Sequence, residues 1–311
     1  MTSVRTVSLR WQWLVAALLM LAELLVFNRM TEKHHTPFYP RWTDQIQYLT
    51  DAYTAYDEMQ AHGLVAGLKL TAVRPTAQGT LHDTSALLVF WVLGSASRGA
   101  ALSINMLVFL AWQAALLYTV TRLTGSRALG WASFGLVLGL AGPWAADAGS
   151  AVDFRLDHAA VCLFGITACV ALLTDDFRSR GWSLAFGAMT GVTLLERFLT
   201  GAYFAPLFVL TAMWLLRYPD RWLRIRHLVM AGLVTTVMAL PFFWLQRSII
   251  YGYYWSGHIT GNEAAARVRA TEFWPSIRFV FEDLTHIHLG AWLGWMVLAV
   301  LTRPRIQRSD R

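Results

Sequence analysis

Charged residues are scarce in this chain: they make up 14% of its 311 residues, whereas hydrophobic residues make up 56%. Soluble domains are roughly one-quarter charged, so this composition excludes an ordinary soluble protein. Alternating segments of about ten residues, which a transmembrane β-barrel requires, are not seen. Apolar runs of roughly the 20 residues that a helix needs to cross a bilayer recur along nearly the whole length. The sequence therefore predicts an all-α, polytopic membrane protein.

Cysteine is also rare. The chain has only Cys162 and Cys169. A helix rises about 10 Å over seven residues, which is too far for a disulfide, so both are expected to be packing residues. No fixed-period repeat, low-complexity tract or linker divides the chain, and residues 1–311 are predicted to form one domain.

We predict about eight transmembrane helices. They are residues 11–28, 100–121, 128–146, 157–174, 181–196, 198–216, 227–246 and 286–302. Arg5 and Arg10 precede the first apolar run as in a signal peptide, but no small-residue cleavage site follows, which favours a retained anchor. The apolar segment 83–94 is too short to cross and is predicted to be a helix lying at the outer surface.

The distribution of charge gives the orientation. With both termini inside, the short inner loops and tails hold 14 of the 26 basic residues and four of the 19 acids. Positive charge in short loops marks the cytoplasmic side. The basic excess then reflects orientation and anionic lipid, and it gives no reason to expect nucleic acid. The two long segments, 30–99 and 247–285, lie outside, so a catalytic site would face the outer side of a bacterial inner (plasma) membrane.

A carboxylate stands at the start of a helix just after the first span. In the segment 41–49 (RWTDQIQYL), Asp44 opens an amphipathic helix predicted to end near residue 62. Asp157 similarly opens the fourth predicted span. Each has two readings. It is either a catalytic acid or base at headgroup depth, or a residue that caps its helix, and Gln47 then completes a box with Asp44.

Four further segments add to this pattern. They are HDTSAL at 82–87, AVDFRLDHAA at 151–160, TLLER at 193–197, and the aromatic stretch at 241–254. Together with the early Asp44, their order resembles the GT-C superfamily, in the bacterial branch of protein O-mannosyltransferases and aminoarabinose transferases. The resemblance implies inverting transfer of a sugar from a polyprenyl-phosphate carrier to an acceptor lipid, glycan or protein. Many relatives have Asp-Glu where this chain has Asp44-Gln45.

The resemblance also implies roles for individual residues. Asp44 and Asp157 are the expected catalytic residues. Arginine suits phosphate because its fork matches the oxygens, and the candidates for the donor phosphate are Arg247, Arg197 and Arg41. Arg197 has the alternative of pairing with its neighbour Glu196. Arg247 has the alternative of anchoring the chain in the headgroup layer.

The substrate or metal vicinity is expected to include His82, Asp83, Asp153 and His158, and Asp153 is the alternative catalytic acid. The one candidate cofactor is a divalent metal ion. Its candidate ligands are His82, Asp83, Asp44, Asp157, His286 and His288.

Two other classes of function stay open. Gln45 replaces the family's Glu, and HDTSAL at 82–87 stands where the family usually has a His-Pro-Pro-Leu type of sequence. Both departures fit an inactive relative that binds lipid or scaffolds an assembly. A transporter or flippase would place polar groups at the membrane midplane. The only charged residue predicted there is Glu23, which is expected either to be protonated or to pair with a polar group on a neighbouring helix. An intact, compact cavity around Asp44 and Asp157 would favour the enzyme, and a filled one would favour the scaffold.

Overall fold

The computed structural model describes residues 3–40, 43–140, 144, 149–260, 274–275 and 278. Every regular element in this part of the chain is helical, which confirms the all-α prediction. The main helices are α1 (Ser3–His34), α2 (Thr43–His62), α3 (Leu64–Val73), α4 (Leu81–Leu93), α5 (Arg98–Thr124), α6 (Arg127–Leu136), α7 (Leu156–Leu173), α8 (Arg180–Glu196), α9 (Gly201–Leu215), α10 (Arg221–Leu245) and α11 (Arg247–Tyr251). A π-helical segment, Gly252–Ile259, follows α11.

Five of these helical segments are long and apolar enough to cross a membrane. They are Trp11–His34, Arg98–Thr124, Leu156–Leu173, Phe198–Leu215 and Arg221–Leu245. Each contains or nearly coincides with a predicted span. The length and composition of these helices therefore support a membrane-embedded protein with several crossings.

Three of the eight predicted spans are not among these five. The segment predicted at 128–146 forms the ten-residue helix α6, followed by a 3₁₀ turn at Val137–Gly139. Glycines at 135 and 139 flank this end, and glycine is a poor helix former. Helix α8 has 17 residues and is about 26 Å long, slightly short of the roughly 30 Å hydrocarbon layer. The span predicted at 286–302 lies outside the described residues.

Helices α5 and α7 form the centre of the bundle. In the most apolar stretch of each helix, 56% of α5 and 50% of α7 is buried, against 17–22% for the other three candidate spans. Helix α5 packs against α1, α4, α6 and α7, and α7 also packs against α8. Their shared core includes Phe90, Phe109, Phe154 and Cys162. The first turn of α7 is therefore fixed by packing on two sides.

The segment between α1 and α5 folds into three short helices. Gly63 ends α2 with a φ of 90°, a conformation that favours glycine, and α3 begins at the next residue. Helices α3 and α4 both pack on α2. The buried stripe of α2 follows the predicted helical spacing, with Leu49 and Met59 inside, but Gln45 is buried at its start. Helix α3 is an element that the sequence did not predict.

Helix α8 is held against α10 by close backbone contact. A Cβ on Gly187 would lie 2.7 Å from the Ala231 Cα, and the Thr235 hydroxyl donates to the Gly187 carbonyl at 2.8 Å. Small residues and interhelical hydrogen bonds commonly join helices in membranes. This contact fixes α8, whose end carries Glu196 and leads into Arg197.

Candidate functional site

One polar cavity of about 390 Å³ brings together residues from distant parts of the chain. Its charged lining comes from the first turn of α2, the first turn of α7 and the residue after α8. These side chains are Asp44, Arg155, Asp157 and Arg197. The structure thus places three predicted site residues, Asp44, Asp157 and Arg197, around one space.

Both cavity carboxylates lie at helix N-termini. Asp44 is the second residue of α2 and Asp157 the second residue of α7. Negative charge is favourable there because unpaired backbone N–H groups and the helix dipole face it. Arg155 is the cap residue of α7, so Asp157 does not cap that helix. Both residues are therefore held by their helices at the cavity wall.

The two carboxylates have different partners. Asp157 is in direct contact with the Arg197 guanidinium. The Asp44 side chain is 64% exposed, and its Oδ2 lies 3.9 Å from Nη1 of Arg155. Asp44 is consequently the more accessible of the two for a reacting group.

Asp153 lies behind the cavity wall and not in it. It is 2% exposed, and its carboxylate accepts hydrogen bonds from Gln45 Nε2 (2.5 Å), Gly149 N (2.7 Å) and Arg155 Nε (2.6 Å). Its backbone carbonyl accepts a bond of 2.9 Å from Asn105. Asp153 therefore joins α2, the loop before α7 and Arg155. Arg155 was not predicted as a cavity residue, although its neighbours Asp153 and Asp157 were predicted site residues.

Aromatic and amide side chains complete the cavity. Tyr48 lies one turn after Asp44, and Tyr253 and Tyr254 come from the π-helical segment. The Tyr254 hydroxyl donates to Gln78 Oε1 at 3.1 Å, and burial raises the pKa of this tyrosine to about 12. Burial likewise raises the pKa of Tyr48 well above its usual range. Both phenols are therefore neutral donors at physiological pH.

An apolar groove continues from the polar cavity. A space of about 490 Å³ shares Asp157 and Arg197 with it and runs past Val161, Phe164 and Tyr203. A further cleft of about 720 Å³ starts at Phe164 and lies between α7 and α9. The charged pair thus stands at the head of an apolar path between two membrane helices.

His82 and Asp83 are buried in ion pairs away from the cavity. His82 Nδ1 lies 2.8 Å from Glu196 Oε1, and Arg74 bridges Asp51 (2.9 Å) and Asp83 (2.5 Å). The predicted alternative pair of Glu196 with Arg197 does not form, because Glu196 contacts His82 and Arg197 contacts Asp157. The network joins α2, α3, α4 and α8.

This network predicts a pH-dependent stability. Burial raises the pKa of Asp83 to about 7, against the opposing effect of Arg74. A raised carboxyl pKa contributes stability that is complete below about pH 4 and is lost as pH rises through about 7. We expect the purified protein to melt at a lower temperature at pH 8 than at pH 5, by tryptophan fluorescence in detergent.

Asp83→Asn is expected to reduce that difference in melting temperature. A smaller slope of the same sign should remain, because the pKa of Asp51 is raised by burial and that of His82 by Glu196, against its own burial. Asp57→Asn, on the exposed face of α2, is the matched control and should keep the full slope. An Asp83→Asn protein with the wild-type slope would refute this assignment.

The remaining predicted residues lie elsewhere. His158 is buried beside Phe109 and Trp144, with its Nε2 3.7 Å from the Cys162 sulfur. Arg247 donates to the Trp244 carbonyl at 2.8 Å and stacks over the Trp244 ring, the geometry of an anchor. Arg41 lies outside the described residues.

The metal prediction also remains open in part. Among the described residues, no three histidine, cysteine or acidic side chains converge as a metal site. Two of the six predicted ligands, His286 and His288, fall outside that part of the chain. A divalent metal therefore stays a prediction.

Comparison of the chain with protein-family models, with curated proteins and with solved structures finds no match, so the site itself has to carry the functional argument.

Proposed function

We propose that the protein is an inverting glycosyltransferase that takes a sugar from a polyprenyl-phosphate carrier at the outer face of the membrane. The observation that carries this proposal is the junction of the charged cavity with the apolar groove. A lipid-linked phosphate needs cationic groups at headgroup depth and an apolar path for its chain. Arg197 and the groove beside Phe164 supply both.

The cavity residues suit the steps of such a transfer. Asp44, the exposed carboxylate, takes the proton from the acceptor hydroxyl. The hydroxyl oxygen forms a bond to the anomeric carbon as the bond from that carbon to the phosphate oxygen breaks. The electron pair goes to the phosphate, which Arg197 stabilises. Asp157 holds Arg197 in place, and the tyrosines offer ring faces and hydroxyls to a sugar.

The presence of an unfilled cavity around Asp44 and Asp157 supports an enzyme over an inactive scaffold. A scaffold needs no water-accessible space around charged groups, and such a space costs packing. The second candidate class, a transporter, has less support, because the charged cavity lining comes from helix ends and loops.

Asp44→Asn tests the proposal in a strain lacking the protein. We expect wild type to restore a sugar-sized mass increment on a surface glycan, glycolipid or protein, measured by mass spectrometry. Asp44→Asn should lower it by about 10²-fold or more, the usual contribution of a general base. Asp57→Asn, at an exposed position of the same helix, is the control and should restore it fully.

The other outcomes are equally informative. Restoration by Asp44→Asn at matched expression would show that Asp44 is not the base. The absence of any sugar-sized change with wild type would reject the glycosyltransferase proposal and favour the scaffold or the transporter.

A further inference from the structure

Arg155 enters the polar cavity with its guanidinium held from behind. Its Nε donates to the buried Asp153 carboxylate at 2.6 Å, and its side chain is 16% exposed. Asp153 is fixed in turn by Gln45 and by the Gly149 backbone. A guanidinium anchored through Nε keeps its outer edge in a set direction. Here that edge faces the cavity and Asp44.

The contact between Arg155 and Asp44 is loose. Nη1 and Oδ2 are 3.9 Å apart, beyond the 2.7–2.9 Å of a charge-assisted hydrogen bond. By contrast, Arg197 is in direct contact with Asp157. An incoming anion can therefore displace the exposed Asp44 carboxylate from Arg155 more readily than the Asp157 carboxylate from Arg197.

We propose that Arg155 contacts the phosphate of the lipid donor, that Asp153 positions Arg155 for this contact, and that Asp44 is the counter-ion displaced by the phosphate. This inference rests on the proposed function in one respect, the identity of the anion as a lipid phosphate. Displacement leaves the Asp44 carboxylate beside the donor and available to the acceptor hydroxyl.

The test is binding of geranylgeranyl monophosphate to the full chain in detergent, with geranylgeraniol as the uncharged probe. Arg155→Gln should weaken monophosphate binding about 10-fold or more, the value of a hydrogen bond to a charged group, and leave geranylgeraniol binding unchanged. Arg155→Lys should fall between, because lysine keeps the charge but cannot make the Nε contact. Arg29→Gln, an exposed arginine outside the cavity, is the control.

The displacement of Asp44 makes an unusual prediction. Asp44→Asn should bind the monophosphate several-fold more tightly, because the phosphate no longer competes with a carboxylate for Arg155. The gain should disappear in Asp44→Asn combined with Arg155→Gln. A gain that persists without Arg155, or no gain at all, would overturn the displacement.

Asp153 is tested as a positioning residue by its coupling to Arg155. Asp153→Asn should weaken binding of the monophosphate but not of geranylgeraniol. In the Arg155→Gln background it should cause no further loss of monophosphate binding. A merely structural role would weaken geranylgeraniol binding as well, and the losses would add.

These outcomes separate the inference from the proposed function. If wild type prefers the monophosphate to the alcohol and Arg155→Gln keeps that preference, the Arg155 assignment fails and the donor proposal stands. If wild type shows no preference, the donor proposal fails together with the inference.

Discussion

Replacing His82 by alanine is expected to lower the free energy of unfolding by about 3–5 kcal/mol, the usual cost of removing one partner of a buried ion pair. The His82 side chain is fully buried and that of Glu196 is 3% exposed. Without the histidine, the Glu196 carboxylate stays in the protein interior with no cation at Oε1. The cavity left beside Phe154, whose ring centroid is 4.2 Å from the imidazole, adds to the loss.

The two cysteines provide the measurement. Both are free and buried, so a thiol-reactive dye should label them only when the bundle opens. His62→Ala is the matched control: this histidine is 65% exposed, lies 3.1 Å from Glu58, and should cost no more than about 1 kcal/mol. Equal melting of the two variants would contradict the prediction.

The double variant His82→Leu with Glu196→Leu sharpens the result. Apolar replacement of both partners removes the desolvated charges together, so it is expected to be more stable than His82→Ala. A double variant as unstable as the single one would show that packing, and not the unpaired carboxylate, dominates.

The sequence predicted those features of the fold and site that depend on local pattern. Helical spacing indicated the buried face of α2, and apolar length indicated the five helices able to cross a membrane. Asp44 and Asp157 were found because an acid after a loop and before an apolar run marks a helix start. Their meeting in one cavity was an expectation from resemblance, and the geometry brings them together.

Long-range partners could not be predicted from pattern. Glu196 lies 114 residues from His82, and Gln45 lies 108 residues from Asp153. The local sequence around these residues does not identify their partners, because the pairing depends on how α2, α4, α7 and α8 pack. The end of α6 at Leu136 was not predicted, because the prediction relied on apolar composition and did not include the poor helix propensity of its glycines.

Gln45 illustrates how such a contact changes the meaning of a residue. As a sequence feature, it is a departure from the Asp-Glu pair that the resemblance to the GT-C superfamily leads one to expect. In the structure, its amide donates to the buried Asp153 carboxylate at 2.5 Å. A glutamate could not donate from an ionised carboxylate, so an amide suits this position when Asp153 is charged.

Gln45→Glu is therefore expected to destabilise the protein by about 3 kcal/mol or more at pH 7.5, because it buries a second, nearly isosteric carboxylate against Asp153. Two carboxylates at this distance raise the pKa of one, so stability should recover as pH falls and one carboxyl donates to the other. Tryptophan fluorescence melting at pH 7.5 and pH 5 measures both effects. Gln47→Glu, exposed two residues along α2, is the control and should change little at either pH. Coincident melting of the two variants at pH 7.5 would contradict this prediction, and with it the buried carboxylate of Asp153 as the anionic anchor of Arg155.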